Sequence, residues 1–297
     1  MKKGIKLKTL ILFLAASFLF FTTAQAQESF RFEGEALIHA SEDDDDIEVK
    51  VIGVGGTFYF TDVNTSDHPY AEAAFLERVG SVYAGVGIGT IDSDVGMDGD
   101  ITSVMADAEF MQTGSPIFLE ASVSRMIIDV DSPPGGDVTW TILGIGGGWF
   151  IEDGLRVGVE YIHEEEDRDV PILVERTIEY DTLSVNGKMV KKLGAGRAFN
   201  AEATVSYVMY DDEVDDGSNN VLSLSGDYFF NRKMSAGAGL EYNRGDDNSE
   251  EGETFAANFT NFFIPRLYIT VDVERFEADN RSGSDEDSLD VSLTLRF

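Results

Sequence analysis

The chain has 297 residues and a formal net charge of −33, from 55 acidic and 22 basic side chains. Such a charge repels polyanions and argues against nucleic acid as a partner. The sequence contains no cysteine, which argues against disulfides and thiolate chemistry, and its hydrophobic content of 43% is too high for a disordered chain.

The N-terminal residues are typical of a secretory signal peptide. Four lysines precede an apolar run from Leu10 to Phe21, and Ala24-Gln25-Ala26 forms a small-residue cleavage site. We expect residues 1–26 to be removed, so that the mature chain begins at Gln27. The apolar run is too short for a retained spanning helix, so an exported chain of this kind enters a membrane only as a closed barrel.

Seven windows rich in Asp and Glu follow, and together they hold more than half of the acidic residues. The windows are Glu42–Asp46, Asp92–Asp100, Asp129–Asp137, Glu164–Asp169, Asp211–Asp216, Asp246–Glu253 and Glu277–Asp287. Short breaks with turn-forming residues lie between the windows. The breaks are near Ser115, Gly154, Gly194, Arg232 and Pro265, and the first break is longer, from about Thr61 to Gly80.

This order predicts hairpins with long acidic loops at one end and short turns at the other, as in bacterial outer-membrane barrels. Seven loops and six turns predict fourteen strands. We therefore expect an all-β fold, a transmembrane antiparallel up-and-down β-barrel over residues 27–297. Twelve or sixteen strands stay open, because Ile172–Leu193 is long for one strand. Val49–Phe60 also changes phase near Gly53–Gly56, as a bulge or a close approach would cause.

The last ten residues, SLDVSLTLRF, show the alternation of an amphipathic strand. The chain ends on an aromatic residue, and this pattern looks like the C-terminal assembly signal of outer-membrane barrels. The signal would be read by the barrel assembly machinery. Its candidate residues are Leu289, Val291, Leu293, Leu295 and Phe297.

One further stretch resembles a segment of the putative general bacterial porins of Gram-negative proteobacteria. It is PYAEAAFLERVGSVYAGVG, from Pro69 to Gly87, and the likeness extends loosely over the mature chain. The resemblance implies a small outer-membrane channel and supplies no catalytic or binding residues. From the residues themselves, Ala71–Arg78 is a short helical turn or a strand start in a periplasmic connection.

A channel needs a wet lumen, and fourteen strands fall between a filled eight-stranded barrel and an open sixteen-stranded one. Small residues expected to face inward would leave room for water: Gly85, Gly87, Gly89, Ser122, Ser124, Ser223 and Ser225. The candidate pore-lining charges are Asp107, Glu109, Glu120, Glu160, Arg156, Glu202, Asp227, Glu241, Asp272 and Glu274. Carboxylate rings favour cations. Alternatively, some acids pair with inward Lys50, Arg156 or Arg296 and fill the barrel.

The acidic windows have two interpretations. They are solvated surface, or they bind divalent cations, including those that bridge lipopolysaccharide. Asp92, Asp94, Asp98 and Asp100 faintly resemble a calcium loop, although the closing Glu of an EF-hand is missing.

The expected function is passive diffusion of small hydrophilic solutes and ions through the outer membrane, with cation preference and without a cofactor. The expected partners are outer-membrane lipid, lipopolysaccharide, small solutes and cations. One alternative is a non-conducting barrel whose acidic loops bind cations, lipopolysaccharide or another cell. Another is an outer-membrane hydrolase with a His–Asp pair at His39 or His163, but no catalytic motif accompanies either histidine, so we expect no enzyme.

Overall fold

The structure is a computed structural model that describes most of the chain. The described residues are 29–43, 47–93, 98–112, 114–130, 136–169, 176–194, 196–212, 216–245, 252–264, 266–278 and 285–297. The predicted signal peptide lies outside them and stays a prediction.

Fourteen β-strands make up the described chain. They are β1 Ser29–Asp43, β2 Ile47–Asn64, β3 Ser81–Ser93, β4 Gly99–Met111, β5 Ile117–Val130, β6 Gly136–Glu152, β7 Leu155–Asp169, β8 Arg176–Gly194, β9 Arg197–Asp212, β10 Asp216–Asn231, β11 Met234–Gly245, β12 Gly252–Ile264, β13 Leu267–Ala278 and β14 Glu286–Arg296. Each strand pairs antiparallel with its neighbours in sequence, and β1 pairs with β14. The sheet is therefore a closed barrel, and the prediction of fourteen strands is confirmed.

Alternation along the strands gives the wall two chemically different faces. On one face, which we call the outer face, large apolar side chains are exposed, such as Ile145 at 65% and Val185 at 58%. The other face, the lumen face, carries most of the polar side chains that contact one another inside the barrel. The cross-strand register keeps each row of partners on one face around the whole wall.

Where the structure describes the acidic windows, they differ from the predicted long loops. The strands continue into them, and β7 contains the whole of Glu164–Asp169. In the predicted long segment Ile172–Leu193, the residues from Arg176 onward lie in one strand, β8, of 19 residues, and residues 172–175 lie outside the described ranges. A strand that crosses a bilayer needs only about 9–11 residues. The hairpins therefore extend beyond the membrane as paired strands, because pairing satisfies their backbone groups there.

The predicted phase change in β2 proves to be a close approach and not a bulge. The pairing of β2 with β3 is regular through Gly53–Gly56. A Cβ on Gly55 would lie 2.2 Å from the Tyr83 hydroxyl, and a Cβ on Gly56 would lie 2.8 Å from the Phe32 ring. Glycine is needed here because aromatic rings cover the backbone.

The two ends of the chain close the barrel together. The backbone N–H groups of Arg31 and Phe32 both donate to the Phe297 carbonyl, at 2.8 and 3.2 Å, and Phe297 donates back to Phe32. The rings of Phe32 and Phe297 lie 5.7 Å apart on the outer side. Leu289, Val291, Leu293 and Leu295 all lie on the outer face of β14 by their register with β13.

The long connection between β2 and β3 contains the only helices of the described residues. A 3₁₀ turn at Tyr70–Glu72 leads into α1, Ala73–Glu77. Arg78 ends α1 in the left-handed conformation, with φ of 53°. Of the two alternatives predicted for this stretch, a helical turn or a strand start, the structure shows the helical turn. Among the described residues, no helix combines the length and apolarity needed to cross a bilayer.

Candidate functional site

Residues 65–80, which we call the plug segment, fold into the barrel at the end that carries the short turns. The segment contacts β12 and β14 on one side of the wall and β5, β6 and β8 on the other. It therefore crosses the lumen. Four groups of contacts hold it there.

The first group is centred on Arg296 of β14, which is 4% exposed. Its Nη1 donates to the Tyr70 carbonyl at 2.8 Å. Its Nε donates to Glu33 of β1, which also accepts a 2.6 Å hydrogen bond from the Tyr59 hydroxyl. The guanidinium lies 4.2 Å from the centre of the Phe30 ring. The last strand thus holds the plug segment and pairs with the first strand at the same place.

The second group surrounds Glu72, a buried acid of the plug segment. Its Oε2 lies 3.1 Å from Lys188 Nζ, and its Oε1 accepts a 3.1 Å hydrogen bond from Asn200. Lys188 also lies 2.9 Å from Glu202. Burial raises the pKa of the Glu72 carboxyl, the Lys188 ammonium opposes that rise, and the Glu202 and Asp227 carboxylates add to it.

The third group is apolar. Phe75 packs with Phe118, Phe150 and Val190 in a buried cluster, and its ring centre lies 5.5 Å from that of Phe150. The Arg156 guanidinium lies 4.6 Å from the Phe118 ring centre, on the lumen side of this cluster. Apolar burial and cation–π contact therefore fix the middle of the plug segment.

The fourth group is at the rim. Arg78 donates to Asp153 of the β6–β7 turn at 2.8 Å. Arg232 of the β10–β11 turn donates to the carbonyls of Thr65 and His68. With these contacts the plug segment is held from turns on both sides of the barrel.

The structure places every candidate pore-lining residue on the lumen face by register. Asp107 pairs with Tyr83 and Ser122, which face the same cavity. The same rows include Glu109, Glu120, Arg156, Glu160, Glu202, Asp227, Glu241, Asp272 and Glu274. Whether they line a conducting path stays a prediction.

Several of these residues surround a cavity of about 310 Å³. Its charged lining consists of Asp107, Glu109, Glu120, Glu160 and Arg156. Arg156 pairs with Glu109. In the described part of the chain, the other three carboxylates form no ion pair, so the cavity is acidic.

The alternative in which lumen acids are neutralised by arginine and lysine applies only in part. Arg156 and Arg296 do form ion pairs on the lumen face. Lys50, expected to face inward, instead lies on the same outer face as Ile38 and Ile88 and pairs with Glu48. The phase change of β2 misled the assignment, since a close approach leaves the alternation unbroken.

The candidate metal ligands do not converge in the described structure. Asp92 lies near the acidic end of β3 and Asp100 near the acidic end of β4, and both are on the outer face. Asp98 is exposed between the two strands. Asp94 lies outside the described residues. Within the described ranges, no cluster of three or more His, Asp or Glu side chains could hold a metal ion.

Each of the two histidines considered for catalysis does form a His–Asp pair. His39 Nδ1 lies 2.9 Å from Asp290, on the lumen face. His163 Nδ1 lies 2.9 Å from Asp181, which also accepts a hydrogen bond from the Tyr161 hydroxyl. That second pair is on the outer face, in the row of Leu183 and Val185. The two pairs are on opposite faces of the wall and do not form one site.

The sequence did not identify Glu72, Lys188, Asn200 and Arg296 as a functional group. A signal was present in the first break, which is longer than the other turns and carries Phe75 and Leu76 beside charged residues. Apolar residues in a turn exposed to water would be unfavourable, so they indicate burial against the wall.

Solved structures similar to this chain include an outer-membrane protein and two channels. Omp33 of Acinetobacter baumannii is 20% identical over 91% of this chain and 99% of its own, with a TM-score of 0.58. The monoaromatic hydrocarbon channel CymD is 11% identical over 92% of this chain and 90% of its own, with a TM-score of 0.55. A TodX mutant, also a monoaromatic hydrocarbon channel, is 11% identical over 92% and 91%, with a TM-score of 0.51. These likenesses show a shared barrel fold.

No curated protein sequence matches the chain. The family model described as "Putative general bacterial porin" matches residues 1–297, which is the full length. A closed fourteen-stranded barrel with an apolar outer face and a polar lumen agrees with that match. The chain therefore belongs to the family of putative general bacterial porins, and it is a porin-like channel of the bacterial outer membrane.

Proposed function

We propose that this channel conducts small hydrophilic cations and that solutes pass only when the plug segment leaves its docked position. The observation that carries the proposal is the acidic cavity directly beside the docked segment. Asp107, Glu120 and Glu160 face it without forming an ion pair among the described residues, and the single cation of the lining, Arg156, pairs with Glu109.

Charge balance supports the cation preference. The lumen-face cations near the plug segment are Arg156, Lys188 and Arg296, and each forms an ion pair with a carboxylate. Further acids on the same face, at Glu241, Asp272 and Glu274, form no ion pair in the described ranges. A low-dielectric wall focuses the resulting negative potential along the lumen, which raises the local concentration of cations.

The kinds of contact that hold the plug segment support the proposal that it leaves its docked position. Three of its four groups consist mainly of hydrogen bonds and ion pairs, around Arg296, Glu72 and Arg78. Water and salt can replace such contacts at moderate cost. The surrounding wall is closed by its own backbone pairing and does not need the plug segment for closure.

The test is conductance in planar bilayers under a salt gradient. We expect small, brief openings with a reversal potential of the sign for cation preference. Replacing residues 66–79 by Gly-Ser-Gly should make the openings larger and longer while the sign stays the same. Anion preference in both forms would overturn the proposed lining, and equal conductance of both forms would overturn the role of the plug segment.

The docked plug segment also favours a second function, a non-conducting barrel with a surface role. In that case neither wild type nor the shortened form conducts, although both run as folded barrels with heat-modifiable gel mobility. The acidic end of the barrel would then bind divalent cations or lipopolysaccharide, with Asp92, Asp94, Asp98 and Asp100 as candidate ligands. Calcium titration of the wild type and of a variant with these four residues changed to Asn tests the proposed cation binding.

We further propose that the barrel assembly machinery recognises β14 through Leu289, Val291, Leu293, Leu295 and Phe297. Their apolar side chains form one row on the outer face, and the terminal residue sits at the seam where the barrel closes. Crosslinking from this row in cells, with Ser292 on the lumen face as the control position, tests the contact.

A further inference from the structure

The cations of this acidic protein gather at one part of the turn end of the barrel. Lys191 and Lys192 end β8, Arg197 begins β9, and Lys233 lies in the β10–β11 turn. All four are exposed, and we call them the basic patch. A Cβ on Gly196 would lie 3.4 Å from the Arg232 side chain, so the β8–β9 turn touches the β10–β11 turn. The cations of both turns are therefore neighbours.

None of the four cations forms an ion pair within the described part of the chain. This contrasts with Arg78, Arg156, Lys188 and Arg296, which all pair with carboxylates. The nearest acidic turn is β6–β7, where Asp153 already pairs with Arg78. The basic patch is thus an uncompensated positive surface on a strongly negative protein.

The register sets the patch beside aromatic side chains on the outer face. Lys191 pairs directly with Phe199, and Phe199 pairs directly with Tyr228. Two residues further toward the turn, Arg197 lies on the same outer face. Tyr228 and Phe230 are both exposed, with ring centres 5.3 Å apart. Aromatic side chains of this kind mark the interface between bilayer and water.

Lys191 and Arg197 lie diagonally across β8 and β9, on the turn side of the Lys191–Phe199 pair, and the register shifts between Lys192 and Gly194 beside them. Diagonal neighbours in an antiparallel pair are about 7–8 Å apart, so two long cationic side chains on one face can reach a single phosphate between them. Their stems lie along the apolar wall while their charged groups reach the water layer, as expected for cations at a membrane edge. Acyl chains would then lie against Phe199 and Tyr228.

We propose that the basic patch binds the headgroup of an anionic phospholipid in the inner leaflet of the outer membrane. A phospholipid fits better than a soluble anion because Lys191 and Arg197 adjoin the lipid-facing aromatic row. The site differs from the lumen and does not depend on conduction. It also orients the barrel, because the opposite end of the wall is acidic and repels the same headgroup.

The test compares two triple variants in detergent with native mass spectrometry. The patch variant is Lys191→Gln, Arg197→Gln and Lys233→Gln. The matched control, Lys50→Gln, Arg125→Gln and Arg244→Gln, removes three exposed cations nearer the acidic end. Both should retain heat-modifiable mobility. We expect wild type and control to retain phosphatidylglycerol over phosphatidylcholine, and the patch variant to bind it at least tenfold more weakly, about 1.4 kcal/mol or more.

Three results would overturn the proposal. One is the absence of any preference for phosphatidylglycerol in wild type, and another is an equal loss in both variants. The third is competition by free glycerol phosphate at the same concentration, which would show a soluble-anion site. A separate assay measures sedimentation with purified peptidoglycan. Binding lost only in the patch variant, with lipid binding unchanged, would assign the surface to the cell wall instead.

Discussion

Lys188 of β8 and Glu72 of the plug segment form an ion pair inside the barrel, with 3.1 Å between Nζ and Oε2. The lysine also reaches Glu202, 2.9 Å away. One cation thus joins the wall to the segment that crosses the lumen. Its removal or reversal should free the segment while the wall stays intact.

Reversing the charge of Glu72 tests this link. Glu72→Lys places two cations together in a buried site and should favour the undocked segment by about 3 kcal/mol, roughly a hundredfold in the equilibrium. Single-channel recordings should show longer openings. The double change Glu72→Lys with Lys188→Glu restores an opposite-charge pair and should return the recordings toward wild type. Asp62→Lys, an exposed reversal on β2, is the matched control. A double variant that stays as open as the single variant would contradict the pairing role.

Acidity should stabilise the docked segment. The pKa of Glu72 is raised by burial in the docked state, so docking favours the protonated form. The stabilisation is complete below the pKa of an exposed Glu and is lost as pH rises through the raised pKa of the docked carboxyl. Open time should therefore increase with pH over this window. Glu72→Gln keeps an acceptor for Asn200 and should flatten the profile. An unchanged profile in this variant would contradict the role of the Glu72 carboxyl in the pH dependence.

Neutral substitution of lumen acids should reduce the cation preference. We choose Glu120, Glu160 and Glu241, because none of them pairs with a cation in the described chain. Their change to Gln keeps shape and removes charge, so the reversal potential should move toward zero. The control changes Glu179, Glu253 and Glu277, which lie toward the other face and the acidic end, and should have a smaller effect because water and salt screen them. Equal shifts of the reversal potential in the two variants would locate the ion selectivity at the acidic entrance of the barrel and not in the lumen.

Deleting Phe297 should impair assembly. The deletion removes a carbonyl that accepts two backbone hydrogen bonds from β1 and a ring that packs on Phe32. Fractionation and heat-modifiable mobility should show less folded barrel in the outer membrane. Phe32→Ala separates ring packing from the terminal signal, since it keeps the last residue. Normal assembly after the deletion would contradict a signal at this end.

Labelling of single cysteines in the cysteine-free chain should establish topology. Asp211→Cys, near the acidic end of β9, should react with an impermeant maleimide on intact cells. Lys233→Cys, in a short turn, should react only after the outer membrane is opened. Both positions are exposed, so access to water does not differ between them. The reverse pattern would invert the proposed orientation.

The sequence by itself determined the features that repeat locally. A period of two assigns each side chain to one face of the wall, so strand number and the set of lumen-face acids could be predicted from alternation and turn residues. The terminal row from Leu289 to Phe297 followed for the same reason. The pattern could not give the extent of the strands, since charged residues pair in a sheet beyond the membrane as readily as they form loops.

Only the tertiary structure decided which distant groups meet. Glu72 and Lys188 are separated along the chain by the strands from β3 to β7, and nothing in either local pattern selects the other. Lys50 lies on the outer face because β2 has no bulge near Gly55 and its alternation is unbroken. The glycine is needed there because an aromatic ring covers the backbone. The local sequence of the plug segment likewise indicates a helical turn but not its position in the barrel. Its path across the lumen depends on long-range contacts with Arg296, Phe118 and Asn200, which exist only once the wall has closed around it.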